Sequence, residues 1–80
     1  QWHTAKLSRL YGGCQLQLGQ YVEAEQQTQT ALAIYETYPN PAEMALSNNQ
    51  LGNSIVELGR YFEATEYYRR SLGLCQTHNI

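Results

Sequence analysis

The chain has 80 residues, of which 42% are hydrophobic and 15% are charged, and its formal net charge is −2. This length limits it to one compact unit or a piece of a longer chain, and so much apolar material argues against a disordered segment. The low charge, without any block of like charge, argues against electrostatic binding to nucleic acid or to an anionic membrane surface, which requires a concentrated basic surface.

Apolar residues recur at spacings of three and four along most of the chain, which is the period of an amphipathic helix. No alternating β-branched run predicts a strand. We therefore expect an all-α fold, with helices near residues 4 to 18, 21 to 37, 42 to 58 and 61 to 77.

Glycine and proline mark the ends of these helices. Gly19 and Gly59 are expected to end the first and third helices, because glycine enters the left-handed backbone region without steric cost. Pro39 and Pro41 halt the second helix. Asn40 is placed to cap the third helix, with Pro41 at its first position.

The chain repeats itself at an offset of forty residues. Leu18 to Ala24 aligns with Leu58 to Ala64, and five of those seven positions are identical. A period of this size is typical of stacked supersecondary units, each of which cannot bury its apolar face alone. We expect two helix-turn-helix units in a single segment, unit one over about residues 4–38 and unit two over about residues 42–78.

This pattern resembles the tetratricopeptide repeat, in which glycine, aromatic and small residues hold fixed places along a helix pair. In unit two the matching residues are Leu51, Gly52, Ile55, Gly59, Tyr61, Ala64, Tyr68 and Ser71. In unit one they are Tyr11, Gly12, Gly19, Tyr21, Ala24, Thr28 and Ala31. The resemblance covers essentially the whole chain, and it implies an α-solenoid fragment that we expect to belong to a longer array.

Some positions depart from the family pattern. Ser8 and Asn48 stand where the family has a tryptophan, and Gln15 and Thr28 replace aromatic residues in unit one. The period is also longer than the common tetratricopeptide repeat, as in the repeats of kinesin light chains and of many bacterial regulatory proteins. Unit one is therefore the weaker match of the two.

The resemblance implies a curved stack in which the first helix of each unit lines the concave side. Residues three and four apart share a helix face. The candidate peptide-binding residues on this side are Lys6, Arg9, Gly13 and Gln17 in unit one and Leu46, Asn49, Asn53 and Val56 in unit two. Asparagine can donate to and accept from a peptide backbone, and Arg9 is expected to be available for a carboxylate. The same residues are also consistent with ordinary solvated helix positions.

The opposite stripes of these first helices are apolar and are expected to form the core. They are Leu7, Leu10, Cys14 and Leu18 in unit one and Leu51, Ile55 and Leu58 in unit two. Cys14 and Cys75 lie far apart without a metal-ligand pattern, so we expect two buried, reduced thiols. The resemblance places Tyr21, Tyr61 and Tyr68 in the core, while Tyr38 and Tyr67 are expected to be partly exposed.

No residue pattern indicates catalysis, a metal or a cofactor. The serines and cysteines have no base beside them, because the only histidines, His3 and His78, lie at the two ends. A phosphate-binding loop and a clustered His and Glu metal set are both missing from the sequence. We therefore expect a protein that is not an enzyme and has no cofactor.

We expect a protein or peptide interaction scaffold that binds a partner segment on the concave face. An alternative is part of the sensor region of a larger bacterial signalling or transcription-regulating protein. The last helix should expose Leu72 and Leu74, so either a further repeat follows or copies associate through this helix. Without a membrane span or a secretion signal, the expected location is the cytoplasm.

Overall fold

The computed structural model describes residues 2–79, apart from the side chain of Trp2. It contains four helices: α1 (Trp2–Gln17), α2 (Tyr21–Thr37), α3 (Pro41–Glu57) and α4 (Tyr61–His78). Residues 2–79 contain no strand. The predicted all-α class is confirmed, and the predicted helix ends lie within two residues of those observed.

Two glycine turns fold α1 back onto α2 and α3 back onto α4. Gly19 has φ 82° and Gly59 has φ 81°, the left-handed conformation that the sequence predicts for both. At each turn the glycine N–H donates to a carbonyl three residues back and the next N–H donates to one five residues back. This is the Schellman arrangement, which satisfies the last carbonyls of a helix.

The connection from α2 to α3 is set by Asn40 and Pro41, as predicted. The Asn40 side chain accepts a hydrogen bond from the Glu43 backbone N–H at 3.3 Å, and Pro41 is the first residue of α3. A capped first turn with proline at its start fixes where α3 begins.

The four helices pack in chain order, α1 against α2, α2 against α3 and α3 against α4. One core cluster joins Ala5, Ala31 and Tyr35, with Met44 of α3 packed against it. The other joins Leu51, Ile55 and Ala64, with Leu32 of α2 among the side chains packed against it. Met44 and Leu32 thus reach across between the two helix pairs.

The core predicted for α1 is wrong. Leu7, Leu10 and Leu18 are 67%, 47% and 74% exposed, and Cys14 is also exposed. The α1 residues that are buried are Ala5, Gly12 and Gln15, because α2 packs on this small and polar side of the helix. In α3 the prediction is confirmed for Leu51 and Ile55, and Leu58 is half-buried.

The core predictions for the tyrosines and cysteines also need correction. Tyr61 is 67% exposed, whereas Tyr21 and Tyr68 are half-buried. Both cysteines are free thiols as expected, but Cys14 is exposed and Cys75 is only half-buried. Tyr61 and Cys14 lie on sides of α4 and α1 that face solvent, whereas Tyr68 packs in part on Gly52 of α3.

Candidate functional site

A cleft of about 300 Å³ opens near the carboxyl ends of α1 and α3, and we call it the four-helix cleft because every helix contributes to it. Its lining residues are Leu16, Tyr21, Asn53, Val56, Glu57 and Tyr68. Leu16 and Val56 supply apolar surface, and the other residues supply hydroxyl, amide and carboxylate groups. This mixture of apolar surface with a few polar groups is typical of ligand sites.

The glycine turn after α1 places Tyr21 at this cleft, since α2 begins only two residues after Gly19. The Tyr21 hydroxyl is hydrogen bonded to the Glu57 carboxylate, which raises the pKa of Tyr21. The negative charge of Glu57 adds to this increase. The raised pKa keeps the Tyr21 phenol protonated, and able to donate to Glu57, further into the alkaline range than an ordinary tyrosine.

Tyr68 closes the other side of the cleft. Its hydroxyl donates to Asn53 Oδ1 at 2.6 Å, and its ring lies against Gly52, where a Cβ would come within 2.7 Å of the ring carbon Cε1. Burial raises the pKa of Tyr68, and the nearby Glu57 charge raises it further. With Oδ1 of Asn53 occupied, the amide Nδ2 of Asn53 is the group that can donate to a ligand.

A second polar cluster joins α1, α2 and α3. Arg9 Nε donates to Glu43 Oε1 at 2.6 Å, and Tyr35 Oη donates to the same oxygen at 3.2 Å. The Arg9 side chain is only 15% exposed. Burial and the Glu43 carboxylate raise the pKa of Tyr35 to about 12.

This cluster corrects one expectation about binding. The guanidinium of Arg9 is held by Glu43 of the same chain, so it is not available for a ligand carboxylate as the sequence suggested. A carboxylate on a partner segment would have to displace Glu43 from a nearly buried ion pair, which costs several kcal/mol.

Gln50 fixes α3 against the first two helices. Its Nε2 donates to the Arg9 carbonyl and to Thr28 Oγ1, both at 2.8 Å. The amide fits because Gly12 and Gly13 have no side chain: a Cβ on either would lie within 3.1 Å of the Gln50 side chain. Gly13, predicted for the binding face, thus makes room for Gln50.

The predicted binding residues are spread along α1 and α3. Asn53 and Val56 are brought together in the four-helix cleft. Lys6, Gln17, Leu46 and Asn49 are exposed and do not line it.

Sequence reasoning missed four residues of the cleft, which are Leu16, Tyr21, Glu57 and Tyr68. Leu16 could have been predicted from the forty-residue offset. Val56 was predicted for unit two, and the residue forty positions before it is Leu16, whereas Gln17 was predicted for unit one. The other three depend on how α2 and α4 pack beside α3, which helix periodicity alone does not give.

A larger cleft of about 450 Å³ lies among α2, α3 and α4, with Met44 and Asn48 in its wall. The Asn48 amide there is already used, because Nδ2 donates to the Met44 carbonyl at 2.9 Å. Arg70 at its edge lies over the Tyr67 ring, 5.0 Å from the ring centre. The Asn48 Nδ2 and Arg70 groups in this cleft thus have partners within the chain, unlike the Asn53 Nδ2 group in the four-helix cleft.

Among residues 2–79 no group of three or more His, Cys, Asp or Glu side chains is placed to hold a metal ion. No helix in this part of the chain is both long and apolar enough to cross a membrane. Comparisons of the chain with protein-family models, with curated proteins and with solved structures give no match.

Proposed function

We propose that the chain is a non-catalytic interaction scaffold that binds an extended segment of another protein in the four-helix cleft. We also propose that its two helix pairs are units of a tetratricopeptide-like stack. The near-identical φ angles of Gly19 and Gly59, forty residues apart, support equivalent units. Gly12 and Gly52, at the same offset, support them as well, since each makes room for a side chain of the following helix.

The observation that carries the binding proposal is the composition of the cleft. Leu16 and Val56 offer apolar surface to a side chain, and Asn53 Nδ2 offers a donor to a peptide carbonyl. An extended segment exposes backbone groups that need such partners, and its alternate side chains need apolar contact.

The charge of the cleft indicates which segment fits. Glu57 contributes a carboxylate, and none of the described ion pairs uses it. A lysine or arginine on the bound segment would pair with the exposed Glu57 carboxylate through a charge-assisted hydrogen bond. The proposed ligand is therefore a basic, partly apolar segment, in contrast to the acidic one that a free Arg9 would favour.

Selection from a random-peptide display library tests this proposal. We expect the selected peptides to be enriched in lysine and arginine. A synthetic selected peptide should shift the NMR resonances of Leu16, Asn53 and Val56.

Variants of the cleft complete the test. Glu57→Gln should weaken binding of the selected peptide about fivefold, as expected for loss of one exposed ion pair worth up to about 1 kcal/mol. The control Glu36→Gln, at an exposed position outside the cleft, should bind like wild type. Peptides without a basic residue, or shifts confined to residues outside the cleft, would refute the proposal.

A further inference from the structure

An uncharged apolar stripe on α1 is exposed. It consists of Leu7, Leu10, Tyr11 and Cys14, and we call it the α1 stripe. Its three larger apolar members are 67%, 47% and 58% exposed. Exposed apolar side chains this close together on one helix face are unusual unless something covers them.

The molecule itself shows how such a stripe is covered. The residues forty positions later are Ser47, Gln50, Leu51 and Ser54 of α3. Three of these are buried, Ser47 at 0%, Leu51 at 1% and Ser54 at 0% exposed. Helix α2 covers part of this face: its Thr28 bonds Gln50 at 2.8 Å, and its Leu32 packs on the cluster that contains Leu51.

The last helix presents the counterparts of these α2 residues. At the forty-residue offset, Thr28, Leu32 and Tyr35 correspond to Tyr68, Leu72 and Cys75, which we call the α4 stripe. Leu72 is 58% exposed, and the other two are half-buried. Tyr68 packs in part on Gly52 of α3, while Leu72 stays exposed. One chain therefore carries counterparts of both halves of its own internal α2–α3 contact, one on α1 and one on α4.

We propose that the α4 stripe of one copy packs on the α1 stripe of a second copy, in the geometry by which α2 packs on α3. This self-association rests on the two stripes and not on a bound peptide. The α4 stripe shares Tyr68 with the four-helix cleft, whereas Tyr11 and Leu72, which are substituted in the test below, do not line that cleft.

The side chains that would meet are complementary. The internal pair Thr28 and Gln50 becomes Tyr68 against Leu10 between copies. Leu32 packs on the cluster that contains Leu51, and at the forty-residue offset these two residues become Leu72 and Tyr11. Between copies, a contact of Tyr68 with Leu10 thus replaces the hydrogen bond between Thr28 and Gln50. Because Leu10 has no amide, this position buries no amide group that needs a hydrogen-bond partner.

Charge does not oppose the contact, because neither stripe carries a charged residue. The ion pair between Arg9 and Glu43 beside the internal contact corresponds between copies to Asn49 and His3. An association driven by apolar burial should persist when salt is raised.

The geometry of this contact also predicts the size of the assembly. A contact between two different faces is heterologous, so each added copy offers a free stripe, and assembly continues beyond a dimer. A symmetric contact of two α1 stripes would instead stop at the dimer.

Sedimentation velocity over a wide concentration range tests the proposal. Wild-type protein should shift progressively from monomer to species larger than a dimer. Tyr11→Glu and Leu72→Glu, which each place a charge in one stripe, should each stay monomeric. Phe62→Glu is the matched control, because Phe62 is 98% exposed yet lies outside both stripes, and it should associate like wild type.

Mixing the two stripe variants gives the most specific result. Tyr11→Glu keeps an intact α4 stripe and Leu72→Glu keeps an intact α1 stripe, so the mixture should form a dimer and nothing larger. Circular dichroism of each variant should match wild type, since both sites are exposed. A monomeric wild type, a wild type that stops at a dimer, or a mixture that stays monomeric would each overturn the proposal.

Discussion

Among the side chains that the structure describes, Tyr35 is the largest one fully buried, and its hydroxyl donates to the Glu43 carboxylate. The folded state holds the phenol proton up to a pKa of about 12, whereas the ordinary value is 10.0. The folded protein therefore keeps a proton that the unfolded chain releases, and stability falls as pH rises between these two values.

This difference between the two pKa values of Tyr35 predicts how the melting temperature depends on pH. The melting temperature measured by circular dichroism should fall between pH 10.0 and about 12, and the fall should be shallower in Tyr35→Phe, which has no buried phenol to ionise. An equally steep fall in the variant would show that Tyr35 does not hold its proton in the folded state.

The Tyr68 ring packs closely against Gly52. A Cβ at this position would lie 2.7 Å from the Tyr68 ring, so Gly52→Ala should force the ring away and cost about 1–3 kcal/mol of unfolding free energy. Gly73→Ala is the control, because a Cβ there would meet nothing within 4 Å, and alanine in a helix should gain about 0.5–1 kcal/mol. Urea denaturation measures both. Equal effects of the two substitutions would contradict the close contact between Gly52 and Tyr68.

At the scale of the elements, the first turn of α3 depends on Asn40. Asn40→Ala removes the side-chain oxygen that accepts the Glu43 N–H, and should cost about 1 kcal/mol in urea denaturation. Asn49→Ala, at an exposed position inside the same helix, should instead gain a few tenths of a kcal/mol. A cost at Asn49 as large as that at Asn40 would argue against the cap.

The elements themselves could be predicted because their signals are local. Helix periodicity, the left-handed glycines Gly19 and Gly59, and the cap at Asn40 each depend on a few neighbouring residues. Asn53 and Val56 were also predicted for the binding face, and the structure places both in one cleft.

The buried face of α1 could not be predicted in the same way. Its apolar stripe, which includes Leu7 and Leu10, is typical of a face that packs against another helix. Helix periodicity does not identify which helix packs there. The structure instead buries Ala5, Gly12 and Gln15 against α2. Small residues decide this choice because they allow close approach of the helix backbones. Arg9 was likewise misjudged, since its partner Glu43 lies 34 residues away.

At the scale of the whole molecule, the α2–α3 contact joins the two helix pairs into one body. It brings Leu16 and Tyr21 beside Asn53 in the cleft, and Arg9 beside Glu43. A double-mutant cycle of Arg9→Met and Glu43→Gln should give a coupling energy of about 0.5–3 kcal/mol in urea denaturation. Additive effects of the two substitutions would mean that α1 and α3 do not meet through this pair.

Methyl NOE spectroscopy of dilute protein tests the α2–α3 contact most directly. NOEs should join Leu32 methyls to those of Leu51 or Ile55, because these side chains share one core cluster. NOEs should also join the Met44 methyl to Ala31 or Tyr35 of α2, because Met44 packs on the cluster that contains them. A spectrum with contacts within each helix pair but none between α2 and α3 would contradict the stacked arrangement, and with it the cleft.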